Sequence, residues 1–343
     1  MATGHDMRCC TPAQRRATSV KLIARGGLAA LAWWCAGAAP AAAQTWPVKP
    51  IRLVHGFLAG GNVDLNARLI AAPMSELFGQ QVIVDGRPGA GGTVAAAQVA
   101  RSEPDGYTLF LAAAGHASSP ALYRSLPYDA VNDFTFISLV SRNPYLVITS
   151  PAFPATRIEE LVRMARSTPG KLDYATGGIG TGMHLVSVLF QSRLGLTLNH
   201  VPYKGGQATP TAVVGGEVPV MFGTPGEVQT LVDAGKLRVI AVTSAERWSA
   251  RPEVPTLAET VLPGFDVIGW TVLAAPANLP APIVARLNDA IRASIKRPEV
   301  VEKFRVKGSD VAASRPADTR QFVAAEVARW ARVIKDENIP PQN

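Results

Sequence analysis

The chain has 343 residues, of which 48% are hydrophobic, and a formal net charge of +8; this length is sufficient for two domains. Five of the 34 Lys and Arg residues and one of the 26 Asp and Glu residues precede position 44, so the remainder carries only +4. This mild excess contains no basic cluster and therefore argues against a nucleic-acid-binding protein.

Residues 1–43 have the pattern of a secretory signal peptide. A basic stretch from Arg15 to Arg25 precedes an apolar run from Gly26 to Ala38, and Ala41–Ala43 offers small residues to a signal peptidase. The pattern predicts cleavage before Gln44 and export to the periplasm.

Three alternatives concern the same segment. A membrane anchor is the competing interpretation, against which Pro40 and the run of alanines argue. Arg15-Arg16 hints at twin-arginine export, and Cys35 raises a lipoprotein, although the bulky Trp33-Trp34 does not suit a lipobox. All three cysteines precede residue 44, so the exported chain has no disulfide, thiol nucleophile or thiolate metal site.

From Ile51 onward, strand and helix patterns alternate. An apolar strand at 51–54 runs into the turn Gly60-Gly61, and an amphipathic helix follows, with Asn62 or Asp64 as its cap. Such a helix N-terminus presents unpaired backbone N–H groups to an anion. Many turns of this kind in α/β proteins bind nothing, so the turn alone leaves both interpretations open.

The next segments repeat the alternation. A strand at 81–85 precedes the sequence GRPGAGG and a small-residue helix, and a buried strand at 107–114 ends at Gly115-His116. Strand–helix–strand units of this length predict a parallel sheet with helices on its faces. Ligands of such sheets bind at the carboxyl ends of the strands, where the turns after Val54 and Ala114 would lie.

Two long β-prone stretches divide the chain. The first, 125–151, is broken near Asn143-Pro144 and suits a crossing between domains, although an edge strand with a proline at its rim is the alternative. The second, 264–276, would be the return crossing. We therefore predict a discontinuous domain of residues 44–146 plus 266–343, an inserted domain of residues 147–265, and a hinge between them.

The inserted domain contains two further glycine turns. Thr176–Gly182 follows a strand and opens a helix, which predicts a backbone-lined anion pocket with the Thr181 hydroxyl added. The sequence has no GxxxxGK[ST], and Met183 replaces the third glycine of a dinucleotide fingerprint. In the turn that starts at Pro202, Lys204 could supply charge or meet solvent, and Tyr203 could line the cleft or the core.

Catalysis has little support in the sequence. There is no GxSxG, no HExxH and no His pair at metal-ligand spacing. We therefore predict no catalytic residue, no metal and no cofactor. A Ser–His hydrolase that uses His55 or His116 is the alternative from another class.

Collinear sequence blocks run from Trp46 to Trp330. They include IRLV with the following GG and D, GQQVIVDGRPGAGG, PDGYTL, PGKLDYAT, GTGMHL, HVPYKGG, AGKLR and APIVARLN. In these blocks the chain resembles the substrate-binding proteins of tripartite tricarboxylate transporters, the Bug-type periplasmic receptors.

The resemblance implies an α/β fold of the two-domain periplasmic-binding-protein type (type II-like), with two crossing strands as hinge and the ligand cleft between the domains. It also implies that a small carboxylate is held between Phe57–Asn62 and Gly177–Thr181 and delivered to the membrane subunits of a transporter. Presentation of the carboxylate to a sensor kinase is the alternative. We expect a monomer.

The first loop departs from the family pattern, because it lacks both usual prolines and His55 stands at an apolar position; Gly223 likewise replaces a polar residue. The predicted ligand-binding residues are Phe57, Leu58, Ala59, Gly60, Gly61, Asn62, Gly115, His116, Gly177, Gly178, Gly180, Thr181, His184, Tyr203, Lys204, Gly205 and Thr224.

Overall fold

The computed structural model describes residues 46–341 and places their strands in two sheets. The predicted signal peptide, its cleavage site and its three alternatives lie outside these residues. No helix in the described part is long and apolar enough to span a bilayer. Within 46–341 there is also no cluster of three or more His, Cys, Asp or Glu side chains suited to a metal ion.

The larger sheet has six strands in the order β11-β4-β10-β3-β1-β2. They are β1 (Ile51–His55), β2 (Val82–Gly86), β3 (Thr108–Ala113), β4 (Phe134–Pro144), β10 (Ile268–Pro276) and β11 (Asp310–Val311).

The smaller sheet has five strands in the order β7-β6-β8-β5-β9. They are β5 (Leu146–Thr149), β6 (Asp173–Thr176), β7 (Asn199–Pro202), β8 (Val220–Gly223) and β9 (Arg238–Val242).

Ten α-helices of the described chain cover the sheets. They are α1 (Asn62–Phe78), α2 (Thr93–Ala100), α3 (Gly115–Leu122), α4 (Ile158–Ser167), α5 (Gly182–Leu194), α6 (Ala208–Val214), α7 (Pro225–Asp233), α8 (Ala281–Ser294), α9 (Pro298–Val306) and α10 (Pro316–Asp336). A 3₁₀ turn, Ala90–Gly92, precedes α2.

Both sheets are mixed, whereas the sequence predicts parallel sheets. β1 is parallel to β2 and β3, as predicted, but β10 is antiparallel to both β3 and β4. In the smaller sheet β5 is antiparallel to β8 and β9. β5 and β10 lie next to the two crossings, so their direction follows from the chain leaving one sheet and returning from the other; the short edge strand β11 is also antiparallel to its neighbour β4.

The apolar pattern of the strands accounts for three core layers, one of which contains Leu146 and Met221 of the smaller sheet. Ile51 and Leu53 on one face of β1 pack under α1 and α8. Phe110 and Trp270 belong to a layer that continues between the sheets to Tyr174. Because each sheet is covered by apolar side chains on both faces, the strands of both sheets are largely buried.

The two crossings are hydrogen-bonded to each other. β4 ends at Pro144 and β5 begins at Leu146, while the return passes from Thr243 to Val267. The Thr243 hydroxyl accepts from the Tyr145 N–H (3.0 Å) and donates to the Val267 carbonyl (2.6 Å). We call residues 46–144 and 268–341 the large-sheet half, and residues 145–267 the small-sheet half.

Candidate functional site

The N-termini of α1 and α5 meet at a cavity between the two sheets, the inner cavity, of about 50 Å³. The large-sheet half contributes Gly61 and Asn62 to its wall, and the small-sheet half contributes Gly177 and Thr181. The predicted residues Phe57, Gly115, Gly205 and Thr224 also line it. The structure therefore brings residues of all three glycine turns to one place.

Several residues that line this cavity have unpaired backbone N–H groups, and four of these groups lie at the starts of two helices. Within the described chain, the N–H groups of Asn62 and Val63 at the start of α1 have no protein acceptor. The same holds for Gly182 and Met183 at the start of α5. Since helix N-termini also carry partial positive charge, the two helices form a site for an anion without a charged side chain.

Three amides of the glycine turns are occupied within their own half, whereas those of Gly177, Gly205 and Gly206 have no acceptor among the described residues. The N–H of Gly60 donates to Asp64 Oδ2 (3.0 Å). That of Gly178 donates to Thr176 Oγ1 (3.2 Å), and that of Gly180 to His184 Nδ1 (3.5 Å). Free donors at the inner cavity therefore come from the first residues of the two helices and from these three turn glycines.

Thr181 caps α5. Its hydroxyl donates to the Gly178 carbonyl (2.7 Å) and accepts from the His184 N–H (3.3 Å). The hydroxyl proton of Thr181 is therefore already used in a hydrogen bond within the protein, although the residue lines the cavity.

A buried pair of polar side chains, His55 and Asp64, lies beneath the loop that follows β1. His55 Nε2 lies 3.3 Å from Asp64 Oδ1, and Asp64 also accepts from Arg68 Nε at 3.0 Å. Burial lowers the pKa of His55, an effect that the Asp64 carboxylate partly offsets. Burial acts to raise the pKa of Asp64, but the donors Arg68 and Gly60 lower it overall, so this carboxylate stays ionised and holds the loop.

A second, larger cavity of about 690 Å³ lies beside the inner one and shares Phe57, Gly177 and Thr181 with it. We call it the outer cavity. Leu58, Gly178, Tyr203 and Lys204 are the other predicted residues that line it. Lys204 is the sole basic residue that lines the outer cavity in the described chain. A negatively charged ligand therefore meets a cation in the outer cavity and not in the inner cavity.

The two halves touch through backbone atoms around the cavities. A Cβ on Gly115 would lie 2.8 Å from the Gly180 carbonyl oxygen, and one on Gly91 (φ 63°) 2.9 Å from it. Ala59 makes a similar approach, because its carbonyl oxygen lies 3.3 Å from a Cβ placed on Gly206. The structure therefore has the cleft closed.

Five predicted residues line neither cavity: Ala59, Gly60, Gly180, His116 and His184. His116 Nε2 lies 2.8 Å from the Ala130 carbonyl, and its ring stacks on Tyr128. His184 stacks on His200 at 4.7 Å. Burial lowers the pKa of both predicted histidines to about 4, so they are neutral core residues.

The arrangement that a Ser–His hydrolase requires is not formed at His55 or His116. Among the described residues, no hydroxyl donates to either imidazole ring; their hydrogen-bond contacts are the Phe57 N–H and the Ala130 carbonyl.

The prediction missed Glu227 and Tyr145, which both line the inner cavity. Glu227 Oε2 accepts from the N–H (3.1 Å) and hydroxyl (2.9 Å) of Thr224, as in a capping box of α7. Burial raises the pKa of Glu227 to about 7, against the two hydrogen bonds, which lower it. Thr224 followed three residues later by Glu is the sequence signal that could have identified this carboxyl group.

Comparison with known proteins identifies the same fold and family. The model of the TctC family, described as tripartite tricarboxylate transporter family receptor, matches residues 66–339. Protein BugT of Bordetella pertussis is 33% identical over 301 residues, which cover 87% of this chain and 92% of BugT.

Two solved structures have TM-scores of 0.83. Rpa4515 of R. palustris with adipate is 35% identical and covers 87% of this chain and 100% of that chain. The periplasmic binding protein BugD is 32% identical, with the same coverage of both chains. These likenesses confirm the predicted α/β periplasmic-binding-protein fold.

Proposed function

Because the chain belongs to the tripartite tricarboxylate transporter receptor family, we propose that it is a periplasmic solute-binding protein that holds a small carboxylate in the inner cavity. The observation that carries this proposal is the set of four unpaired N–H groups at the starts of α1 and α5. A carboxylate has two oxygens that each accept two hydrogen bonds, and it matches four converging donors. Adipate in Rpa4515 is a carboxylate bound by a relative.

Binding would couple to closure of the cleft. Two of the donors, Asn62 and Val63, come from the large-sheet half, and Gly182 and Met183 come from the small-sheet half. A carboxylate that takes hydrogen bonds from both halves stabilises the closed state more than an open one. One moving domain would consist of residues 44–146 together with 266–343, and the other of residues 147–265. The protein would be exported and cleaved between Ala43 and Gln44. Its closed form would then deliver the ligand to the membrane subunits of a transporter.

Thermal-shift screening and calorimetry test the class of ligand. Each aliphatic or aromatic carboxylate is compared with its uncharged carboxamide, which has the same shape but no negative charge. Carboxylates should raise the melting temperature in proportion to their affinity, and the carboxamides should not. If no carboxylate binds, or if the carboxamides bind equally well, the proposal is wrong.

The free amide of Asn62 offers a sharper test. Asn62 is the first residue of α1 and follows Gly61, whose backbone is extended (ψ 166°), so proline fits this position and removes one N–H. Asn62→Ala is the matched control, because it also deletes the side chain that bonds to Asn143 but keeps the N–H. We expect Asn62→Pro to bind the carboxylate about tenfold more weakly than Asn62→Ala, as for one hydrogen bond to a charged group. Equal affinities would remove this amide from the site.

A further inference from the structure

Two polar atoms at the inner cavity are left over after the protein's own hydrogen bonds are counted. Glu227 Oε1 and the Tyr145 hydroxyl make no hydrogen bond with any residue in the described chain. Both side chains line the inner cavity and are buried, with 6% and 5% of their surface exposed. An unpaired buried carboxyl or hydroxyl group is costly, so these atoms are suited to a partner that enters the cavity.

Capping of α7 does not account for Glu227 Oε1. Both bonds of the capping box, from the Thr224 N–H and hydroxyl, go to Oε2. The second oxygen is therefore free for recognition.

One of the two leftover atoms, the Tyr145 hydroxyl, lies beside the free amides of α5. The Tyr145 hydroxyl occupies the space that a Cβ on Gly182 would need, so it borders the start of α5. The cavity, at about 50 Å³, has room for only a few water-sized groups. A ligand that contacts both sets of atoms therefore has its two polar groups only a few bonds apart.

The charges of the residues that line the inner cavity determine whether the second polar group of the ligand is an anion or a cation. None of the lining residues, all of them in the described chain, is Lys, Arg or His. A second carboxylate would meet a carboxyl group and no cation, whereas an ammonium group would meet an acceptor on Glu227 and another on Tyr145.

We propose that the ligand is a small zwitterionic amino acid, whose carboxylate binds the free amides of α1 and α5 and whose ammonium group donates to Glu227 Oε1 and the Tyr145 hydroxyl. This assignment rests on the proposed function and names the ligand class within it. Glu227 is then a specificity-determining residue. Because burial raises the pKa of Glu227 to about 7, an adjacent ammonium ion is sufficient to keep its carboxylate ionised at neutral pH.

Calorimetry with acids that differ in one substituent tests the assignment. The three-carbon set is propionate, alanine, β-alanine and malonate, and the four-carbon set is butyrate, α-aminobutyrate, γ-aminobutyrate and succinate. In the wild-type protein, at least one amino acid should bind about tenfold or more tightly than the unsubstituted acid and the diacid of its set, as for a buried charge pair.

Glu227→Gln is the decisive variant. Glutamine retains a capping oxygen for Thr224 but presents an NH₂ group, which cannot accept from an ammonium ion. The amino-acid preference should fall about tenfold, while the affinity for the unsubstituted acid stays within about threefold. Tyr145→Phe, which removes the second acceptor, should lower the same preference by a smaller factor.

Glu160→Gln is the matched control. Glu160 is also the third residue of its helix, and its Oε2 also accepts from the N–H (2.7 Å) and hydroxyl (3.1 Å) of a threonine, Thr156. It lies away from both cavities. Glu160→Gln should leave the preference unchanged, which separates recognition from helix capping.

The outcomes distinguish the two proposals. If unsubstituted acids or diacids bind as tightly as every amino acid tested, or if Glu227→Gln keeps the amino-acid preference, the ligand class is wrong while carboxylate binding stands. If no acid of either set, and no other carboxylate, binds the wild-type protein, both proposals fail. A preference for amino acids that depends on Glu227 supports the assignment.

Discussion

At the scale of single residues, Thr181 shows how a hydroxyl at a binding site can be structural. Its donated hydrogen bond goes to the Gly178 carbonyl and its accepted bond comes from the His184 N–H, so it joins the glycine turn to α5. Thr181→Val should lower the free energy of unfolding by about 1–2 kcal/mol, as for loss of an N-cap. Thr181→Ser, which keeps the hydroxyl, should not.

Urea unfolding of the two variants without ligand measures this cap. A ligand affinity that falls in Thr181→Val while stability stays at the wild-type value would instead make the hydroxyl a direct ligand partner.

Glu227 should give stability a pH dependence of unusual sign. Its pKa is raised by burial from 4.5 to about 7, so the folded protein retains a proton that the unfolded chain releases. The free energy of unfolding should therefore fall as pH rises from about 4.5 to 7, by about 2–3 kcal/mol from this group.

The difference between the wild-type protein and Glu227→Gln isolates this effect. Burial lowers the pKa of His116, His184 and His200 to about 4, which gives stability the opposite slope between about pH 4 and 6.5 in both proteins. In the absence of ligand, the stability of wild type relative to the variant should decline steadily over pH 4.5–7. A flat difference would show that the buried carboxyl titrates normally.

At the scale of elements, the two crossings behave as one unit because Thr243 bonds to both. Thr243→Val removes the acceptor of the Tyr145 N–H and leaves that buried donor and the Val267 carbonyl unpaired. The free energy of unfolding should fall by about 1–3 kcal/mol. Thr149→Val in β5 is the matched control, since Thr149 is equally buried but its hydroxyl has no partner. That variant should be neutral or stabilised, and equal losses in the two variants would contradict a bracing role for Thr243.

Elements were more predictable from the sequence than the atoms that form the site. The spacing of apolar residues and the positions of turn residues predict β1, α1 and α5 correctly, since these signals are local. The reversed direction of β10 depends on which sheet the chain returns from, which no local pattern contains. Likewise the glycines of the turns are visible in the sequence, but the direction of each N–H is not. The predicted ligand-binding residues therefore include Gly60 and Gly180, whose N–H groups bond within their own half, and omit Val63 and Met183.

At the scale of the whole molecule, the site exists because distant segments meet. Tyr145 and Glu227 are 82 positions apart, and neither belongs to a glycine turn. The pairing of β5 with β8 brings them together, and the packing of the two sheets places them at the cavity of α1 and α5. Sequence patterns predicted that the cleft would lie between two α/β halves. They could not predict which side chains line its floor, because burial at a contact between halves depends on their relative orientation.

Closure of that cleft requires close backbone approach at Gly115. Gly115→Ala would add a methyl group 2.8 Å from the Gly180 carbonyl oxygen and 3.7 Å from Thr181 Cα, both backbone atoms of the other half. A Cβ on Gly115 would also lie 3.3 Å from the Gly91 carbonyl oxygen of its own half, but alanine is a better helix former than glycine, so the ligand-free stability should change little. The halves must separate to admit the methyl group, and ligand affinity should drop about tenfold or more.

Gly215→Ala is the matched control, because Gly215 has φ −73° and a Cβ there would meet only carbonyl oxygens of its own helix, α6. Calorimetry gives the affinities, and small-angle X-ray scattering gives the radius of gyration with and without ligand. Saturating carboxylate should compact the wild-type protein and Gly215→Ala but not Gly115→Ala. If Gly115→Ala compacts and binds like the control, then the backbone contact at Gly180 is not needed for closure, and the ligand is held without the two halves meeting there.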